Sequence, residues 1–335
     1  MAKALSPKSR IDRVLSGGQI DRPAVSAWRH FYEKENTADD LARSMLDFQE
    51  KFSWDFIKIN SRASYHVEDW GAKFRYSTSP LVKPAAIAFP VTKKSDWAKI
   101  KPLHWRAGAL GENLSAGKKI LSQAGSDIYC LPTIFSPLSV AAGLVDGEER
   151  FIDLLEAAPD ALRGALEAIT ETFSGYAAEF IKMGMAGIFF ATTEWATRDK
   201  LTEAQYLEFG CPYDLRVLNA AGHGFFNIIH VCKSNNMLPL FRDYPAQVIS
   251  WNPYESGNLG IGQAAQITDK IFLTGADQNN VLLNGPANAV TKQVDEAIRQ
   301  VPIGRLIVAP GCALKVGTPD EHLSALADSV KGWKI

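Results

Sequence analysis

Eight short apolar runs recur along this 335-residue chain, most of them followed by a stretch with helical periodicity. They fall at 24–28, 55–60, 128–135, 186–192, 225–232, 247–252, 271–278 and 305–312. The runs are nearly continuously apolar and do not alternate with polar residues. That pattern fits strands covered on both faces, as in a parallel sheet with helices packed outside it. The intervening segments supply those helices, expected at 9–15, 38–52, 111–125, 148–157, 159–183, 213–221, 287–300 and 319–330. In the long helix at 159–183, Leu162, Leu166, Ile169 and Phe173 lie on one face. Eight such units predict an α/β fold, a single (β/α)8 TIM barrel spanning 1–335. The active site of that fold lies at the C-terminal ends of its strands. The rival is an open doubly wound sheet. No Gly-rich GxGxxG follows the first strand, and AGHGFF at 221–226 precedes a strand, so a dinucleotide-binding version is disfavoured. Residues 61–108 break the rhythm and read as an excursion inserted over the mouth, with room for a small hairpin.

The run at 225–235, FFNIIHVCKSN, carries the most specific chemistry. Side chains two apart on a strand point the same way, so His230 and Cys232 aim at one place beyond an apolar strand. The last run ends in Gly311 and Cys312. An imidazole and two thiols at strand ends that meet at one mouth would make a three-ligand zinc site with an open fourth position. The plainer reading is core packing, because free Cys is among the most buried residue types. Four cysteines in a chain that opens without an apolar leader do not suggest a disulfide framework. Cys130 and Cys211 read as ordinary thiols, and His66 and His223 as structural.

Other polar and aromatic residues fall at or near the predicted strand ends: Trp28, His30, Lys58, Tyr65, Trp70, Trp195 and Trp251 as walls or substrate contacts, and Glu194, Asn252 and Asp277 as catalytic candidates. Glu194 would serve as a fourth ligand or general acid, with an ion pair to Arg198 as the plain alternative. Asp277 would orient the His230 ring from behind. Asn252 and Asn235 would donate hydrogen bonds near the metal. Lys58 would be a site cation, or a stem packed on the wall with its head in water.

Composition excludes several classes. A hydrophobic content of 46% and a formal net charge of −1 describe a globular protein with a sizeable core and no broad basic field. Nucleic acid and anionic membrane surfaces are therefore not expected partners. No apolar run reaches eighteen residues, and the first residues lack a signal peptide's apolar core, so a cytoplasmic location is expected.

With these segments placed, the chain resembles the uroporphyrinogen decarboxylase superfamily over nearly its whole length. The resemblance rests on RVLSGGQIDRPAV at 13–25, IFSPLSVAAGL at 134–144, AGIFFATTE at 186–194 and VAPGCAL at 308–314. Within that superfamily it is similar to the zinc-dependent, corrinoid-linked methyltransferases, such as the methylcobamide:coenzyme M methyltransferases. These carry an HxC motif on one strand and a Cys after a later one, here His230, Cys232 and Cys312. The resemblance implies Zn2+ held by those three residues and a corrinoid (cobalamin) brought by a partner protein. It also implies methyl transfer between cobalt and a small molecule, a methoxylated aromatic or a thiol. Two positions depart from the pattern. The decarboxylases' arginine-rich segment is replaced by WRHFYEKEN with Arg29 alone, which disfavours a tetra-acid porphyrinogen. Lys233 stands where the branch usually has Gly. The alternatives are a metal-free decarboxylase of a small acid, with His30 or Lys58 on the carboxylate, and a zinc-stabilised barrel that serves only as a binding partner.

Overall fold

The computed structural model describes residues 4–333. Its centre is an eight-stranded sheet in which every pairing is parallel. In chain order its strands are β1 (Ala24–Val25), β2 (Phe56–Ile59), β5 (Tyr129–Phe135), β6 (Phe189–Ala191), β7 (Ile228–His230), β8 (Val248–Ser250), β9 (Ile271–Ala276) and β10 (Leu306–Pro310). From β2 onward each pairs with the next barrel strand in sequence, and β1 pairs with β10, which leaves a seam between β1 and β2. The hairpin β3 (Lys73–Arg75) and β4 (Ala85–Ala88) stands apart as an antiparallel pair inside the expected excursion. The result is a nearly closed (β/α)8 barrel, as the alternation of runs predicts.

The seam between β1 and β2 is bridged by Asp55, and by Ser26, whose hydroxyl donates to the Phe56 carbonyl at 2.9 Å. The Asp55 backbone N–H donates to the Val25 carbonyl at 2.8 Å, and the Asp55 carboxylate accepts the Val25 N–H at 2.8 Å. The same buried carboxylate takes Arg10 at 2.5 Å and Arg22 at 2.8 Å. Arg10 is anchored in turn by Asp21, at 2.8 Å. This charge network ties the helix Pro7–Ser16 to the start of the first two barrel strands. That helix is capped by Ser6 and ends at Gly17, whose φ of 69° suits a residue without a Cβ.

Two apolar cores follow from the two faces of the strands. Phe56, Leu131, Phe189, Phe226, Ile228 and Ile307 fill the barrel interior. Ile57, Ile134, Phe190, Ile229, Ile249 and Val308 pack outward against the helices. The phase of each strand decides which group a residue joins. Phe225, expected in a buried strand, is exposed, because regular pairing begins only at Ile228. Among the described residues no helix is long and apolar enough to cross a membrane.

One buried acid outside the barrel gives the fold a pH signature. Asp214 is fully buried and accepts hydrogen bonds from Tyr206 at 2.6 Å and Tyr244 at 3.3 Å. Burial pushes its carboxyl up to about 8, against the lowering effect of the two hydroxyls. An unfolded Asp loses its proton near pH 4. Between about pH 4 and 8 the folded chain therefore holds one proton more, and stability falls as pH rises, by at most about 1.4 kcal/mol per unit. Asp214→Asn is expected to flatten the pH dependence in that window. Urea unfolding of both proteins at pH 5 and pH 8 measures this; equal slopes in the two would refute it.

Candidate metal centre

The strand period brings the first two groups together. On β7 the side chains of Ile228 and His230 face the interior, and Cys232 continues that phase just past the strand. The main chain is held on both sides: Thr192 N donates to the His230 carbonyl at 3.1 Å, and Val231 N to the Ser250 carbonyl at 2.8 Å. After Cys232 the chain turns sharply through Lys233 at φ 67° and Asn235 at φ 50°. This is the left-handed region that favours glycine, and a side chain there costs about 1 kcal/mol. The Gly expected at the position of Lys233 would therefore have a backbone reason. Asn258 pins the turn by donating to the Lys233 carbonyl at 2.9 Å. At the other strand end, a Cβ on Gly311 would lie 2.5 Å from the Asn252 Cβ. Only glycine lets β10 run this close to the end of β8 and deliver Cys312 to the mouth.

Here His230, Cys232 and Cys312 meet, with their ligand atoms all within 4.8 Å of one another. The two sulfurs are 3.4 Å apart. His230 Nδ1 lies 3.0 Å from Ser250 Oγ, which orients the ring, while the buried Nε2 has no partner. The hydrogen bond between the sulfurs keeps the proton on Cys232, raising its pKa well above the usual thiol value. The same bond, with help from His230, draws Cys312 well below it.

The cluster lines a cavity of about 540 Å³ at the C-terminal ends of the strands. Trp28, Phe135, Phe189 and Trp195 form its aromatic wall, and His30, Lys58, Asn60, His66, Glu194 and Lys233 add polar groups. His30 is fixed by Glu35 at 3.1 Å and stacks on Tyr32. Burial lowers His66 to about 4, so it is a neutral imidazole at physiological pH. Although burial works against its charge, Lys233 is raised by the acidic groups around it, the Cys232 and Cys312 thiols and Glu194 among them.

Several expected site residues lie elsewhere. Trp251 faces outward from β8, packs on Phe272 and donates to the Leu259 carbonyl. Tyr65 is buried with its hydroxyl on the Thr133 carbonyl at 2.6 Å, and does not line the cavity. Trp70 stacks on Phe173 outside it. Asn252 and Asp277 hold the loops after β8 and β9, Asn252 bonding Gln278 and Tyr254, and Asp277 bonding Asn279 and Asn280. The partner of His230 is thus Ser250, not Asp277. Asn235 bonds Asp199 instead of facing the thiols. Glu194 lines the cavity but is outside the three-residue cluster, and Arg198 pairs with Glu203, not with it. His66 lines the cavity, against the structural role expected from its place in the chain.

Ser250, Phe189 and Asn60 were not singled out by the sequence reading. Each sits two residues from another inward-facing position, which is the signal that could have found them: Ser250 after Val248, Phe189 before Ala191, Asn60 after Lys58.

A parallel eight-stranded barrel with an imidazole and two thiols converging in its mouth belongs to the (β/α)8 barrels, whose sites lie at the C-terminal ends of the strands. The uroporphyrinogen decarboxylase (URO-D) family profile matches residues 8–333, and the chain belongs to that family. Among solved structures it is similar to a methyltransferase from Methanosarcina mazei, with a TM-score of 0.84, 20% identity, and coverage of 97% of this chain and 98% of that one. It is also similar to a B12-independent methionine synthase from a Shewanella species, with a TM-score of 0.57, 13% identity, and coverage of 92% and 95%. At these identities the likeness is one of fold. No curated protein matches the chain.

Proposed function

We propose that this protein is a zinc-dependent methyltransferase. It would move a methyl group between a small methoxylated aromatic or thiol and the cobalt of a corrinoid carried by a partner protein. The observation that carries this reading is the convergence of His230, Cys232 and Cys312 within 4.8 Å on a cavity with aromatic walls. The donor set fits zinc. Two sulfurs bound to one tetrahedral zinc lie about 3.8 Å apart, close to the 3.4 Å seen here. The partnerless Nε2 supplies the nitrogen, and Ser250 on Nδ1 sets the tautomer. Zinc held there would supply Lewis acidity in its open coordination position, to the sulfur of a thiol or the oxygen of a methyl ether.

The chain's own residues supply the rest. Trp28 and Phe189, edge to face with centroids 5.2 Å apart, offer an apolar corner against which a substrate ring can pack. Trp195, packed on Phe151 at 4.5 Å, adds a further apolar surface to the cavity. Glu194 at the rim can take or return the proton of a thiol or phenol at its heteroatom. Methyl transfer needs the methyl carbon in line between the two reacting atoms, so positioning dominates the rate. The shared fold with a protein described as a methyltransferase, over 97% of this chain, supports the reading.

The test is turnover of free cobalamin. Zinc-loaded protein with cob(I)alamin and methoxylated aromatics, or with methylcobalamin and thiols, should change the visible cobalamin spectrum in step with product. No change with any donor or thiol would refute the reading. One observation favours a second reading, a metal-free decarboxylase of a small acid: Lys58 presents a buried amine to the same cavity. Release of CO2 by metal-free protein would favour that reaction instead.

A further inference from the structure

We infer that Lys58 and Asn60 form an anion-binding subsite, so that the preferred substrate is an aromatic methyl ether carrying a carboxylate at the end away from the methyl group. This rests on reading the cavity as the substrate site of methyl transfer, and it names the charge that the site selects.

The argument begins with β2. Phe56, Lys58 and Asn60 share the inward phase of that strand. Lys58 is only 5% exposed, so its head does not reach bulk water in the way a long surface side chain allows. Its Nζ lies 4.6 Å from the centre of the Phe189 ring and 5.6 Å from that of Trp28, and it donates to Asn60 Oδ1. Among the described residues no carboxylate pairs with it. Burial pulls its pKa down to about 7, against the Cys312 and Cys232 thiols and Glu35; Glu35, the one carboxylate among them, is already held by His30 and the Phe31 N–H. A buried cation without a counter-ion is unfavourable, and binding proteins use such groups to receive an anion.

Asn60 supplies the second donor. With Oδ1 accepting from Lys58, the amide Nδ2 is directed elsewhere. It is buried, has no hydrogen-bond partner and lies in the cavity wall. Nζ has two further protons and Nδ2 has two. A carboxylate bridging them would neutralise the charge and satisfy the orphan amide together. A neutral methyl or hydrogen at that end of the substrate would do neither.

Phe189 sets the length of the ligand. The centre of its ring is 4.6 Å from the Lys58 ammonium and 5.2 Å from that of the His230 ring, so both groups border the same aromatic surface. One substrate ring laid on this wall would span from the cation to the thiol–imidazole cluster. That selects a ring with its anion and its ether at opposite ends.

The experiment compares binding of 4-methoxybenzoate with its neutral counterpart 4-methyl-1-methoxybenzene, by calorimetry on the full chain, with and without zinc. The acid should bind at least about tenfold more tightly, as expected for a hydrogen-bonded charge pair shielded from water. Lys58→Met should abolish that preference by weakening binding of the acid. Asn60→Asp places a carboxylate on the Lys58 amine, and it should keep the fold and abolish the preference as well. Wild-type protein that binds both compounds equally would overturn the subsite, and this comparison needs no variant to fold. Preference that survives both substitutions would overturn it too. Because binding is read without cobalamin, a preference found in protein that never turns over cobalamin upholds the subsite while methyl transfer fails. Turnover of the neutral ether alone does the reverse.

Discussion

Cys232→Ser and Cys312→Ser are each expected to weaken zinc binding by about a hundredfold to a thousandfold, the loss expected when a site worth about 10–16 kcal/mol loses one of its ligands. The intact chain should hold one zinc after dialysis, and either variant should release it to a chelator of intermediate strength. The reason is geometric. The two sulfurs and the imidazole nitrogen come from strand ends that are distant in sequence, and each has its direction fixed before any ion arrives. Thr192 and Ser250 hold the main chain around His230, Asn258 holds the turn after Cys232, and Gly311 permits the approach of Cys312. A rigid site with one ligand missing cannot recruit another easily. Ser250→Ala should do less, about ten- to a hundredfold, because it frees the ring without removing the nitrogen. Stoichiometric zinc that survives in both Cys variants through chelation would show that these three residues are not the ligands, and the methyl-transfer reading would fall with them.

Asp55→Ala should be the most damaging single change to stability, costing about 3–5 kcal/mol in urea unfolding. Asp55 is fully buried at the N-terminal side of the barrel, far from the cavity residues in chemistry and purpose. Its carboxylate takes Arg10, Arg22 and the Val25 N–H, and its own N–H closes the β1–β2 seam. Truncation leaves Arg22 without its carboxylate and Arg10 with Asp21 alone, and removes the Asp55 side chain from the closure. Asp55→Asn keeps the shape and one acceptor but loses the charge, so an intermediate cost is expected. A loss below about 1 kcal/mol for Asp55→Ala, the range of an exposed pair, would mean that water reaches the network and that the seam is held by packing alone.

The two predictions probe opposite ends of one architecture, and they differ in how far the sequence announced them. The thiol–imidazole pair on β7 was legible because a strand repeats every two residues: His230 and Cys232 must share a face whatever surrounds them. Cys312 was legible as the terminus of another apolar run. The eight runs with helices between them marked a covered parallel sheet, and the irregular stretch at 61–108 marked an insertion, which is where the β3–β4 hairpin lies. Asp55 gave no such sign. An acid at the start of an apolar run reads as a solvated strand end until Arg10 and Arg22 are folded over it.

The misplaced residues share one cause. Both faces of a parallel barrel strand are apolar, one toward the interior and one toward the helices, so hydrophobicity does not show which phase points inward. Trp251 and Ser250 are adjacent; the bulky residue drew attention and went outward, and the small one holds His230. Asp277 looked like the orienting acid because it ends a strand, yet its carboxylate caps its own loop. Tyr65 and His66 are likewise neighbours on one helical turn, and only His66 lines the cavity.

The sequence by itself thus determined the strand count, the parallel class and the local pairing of His230 with Cys232, because each depends on spacing within a few residues. Only the tertiary structure decided that Cys312, Ser250, Phe189 and Lys58 meet them. Which residues of separate strands stand at one height depends on the stagger between strands as the barrel closes, and that stagger is a property of the whole ring, not of any one segment.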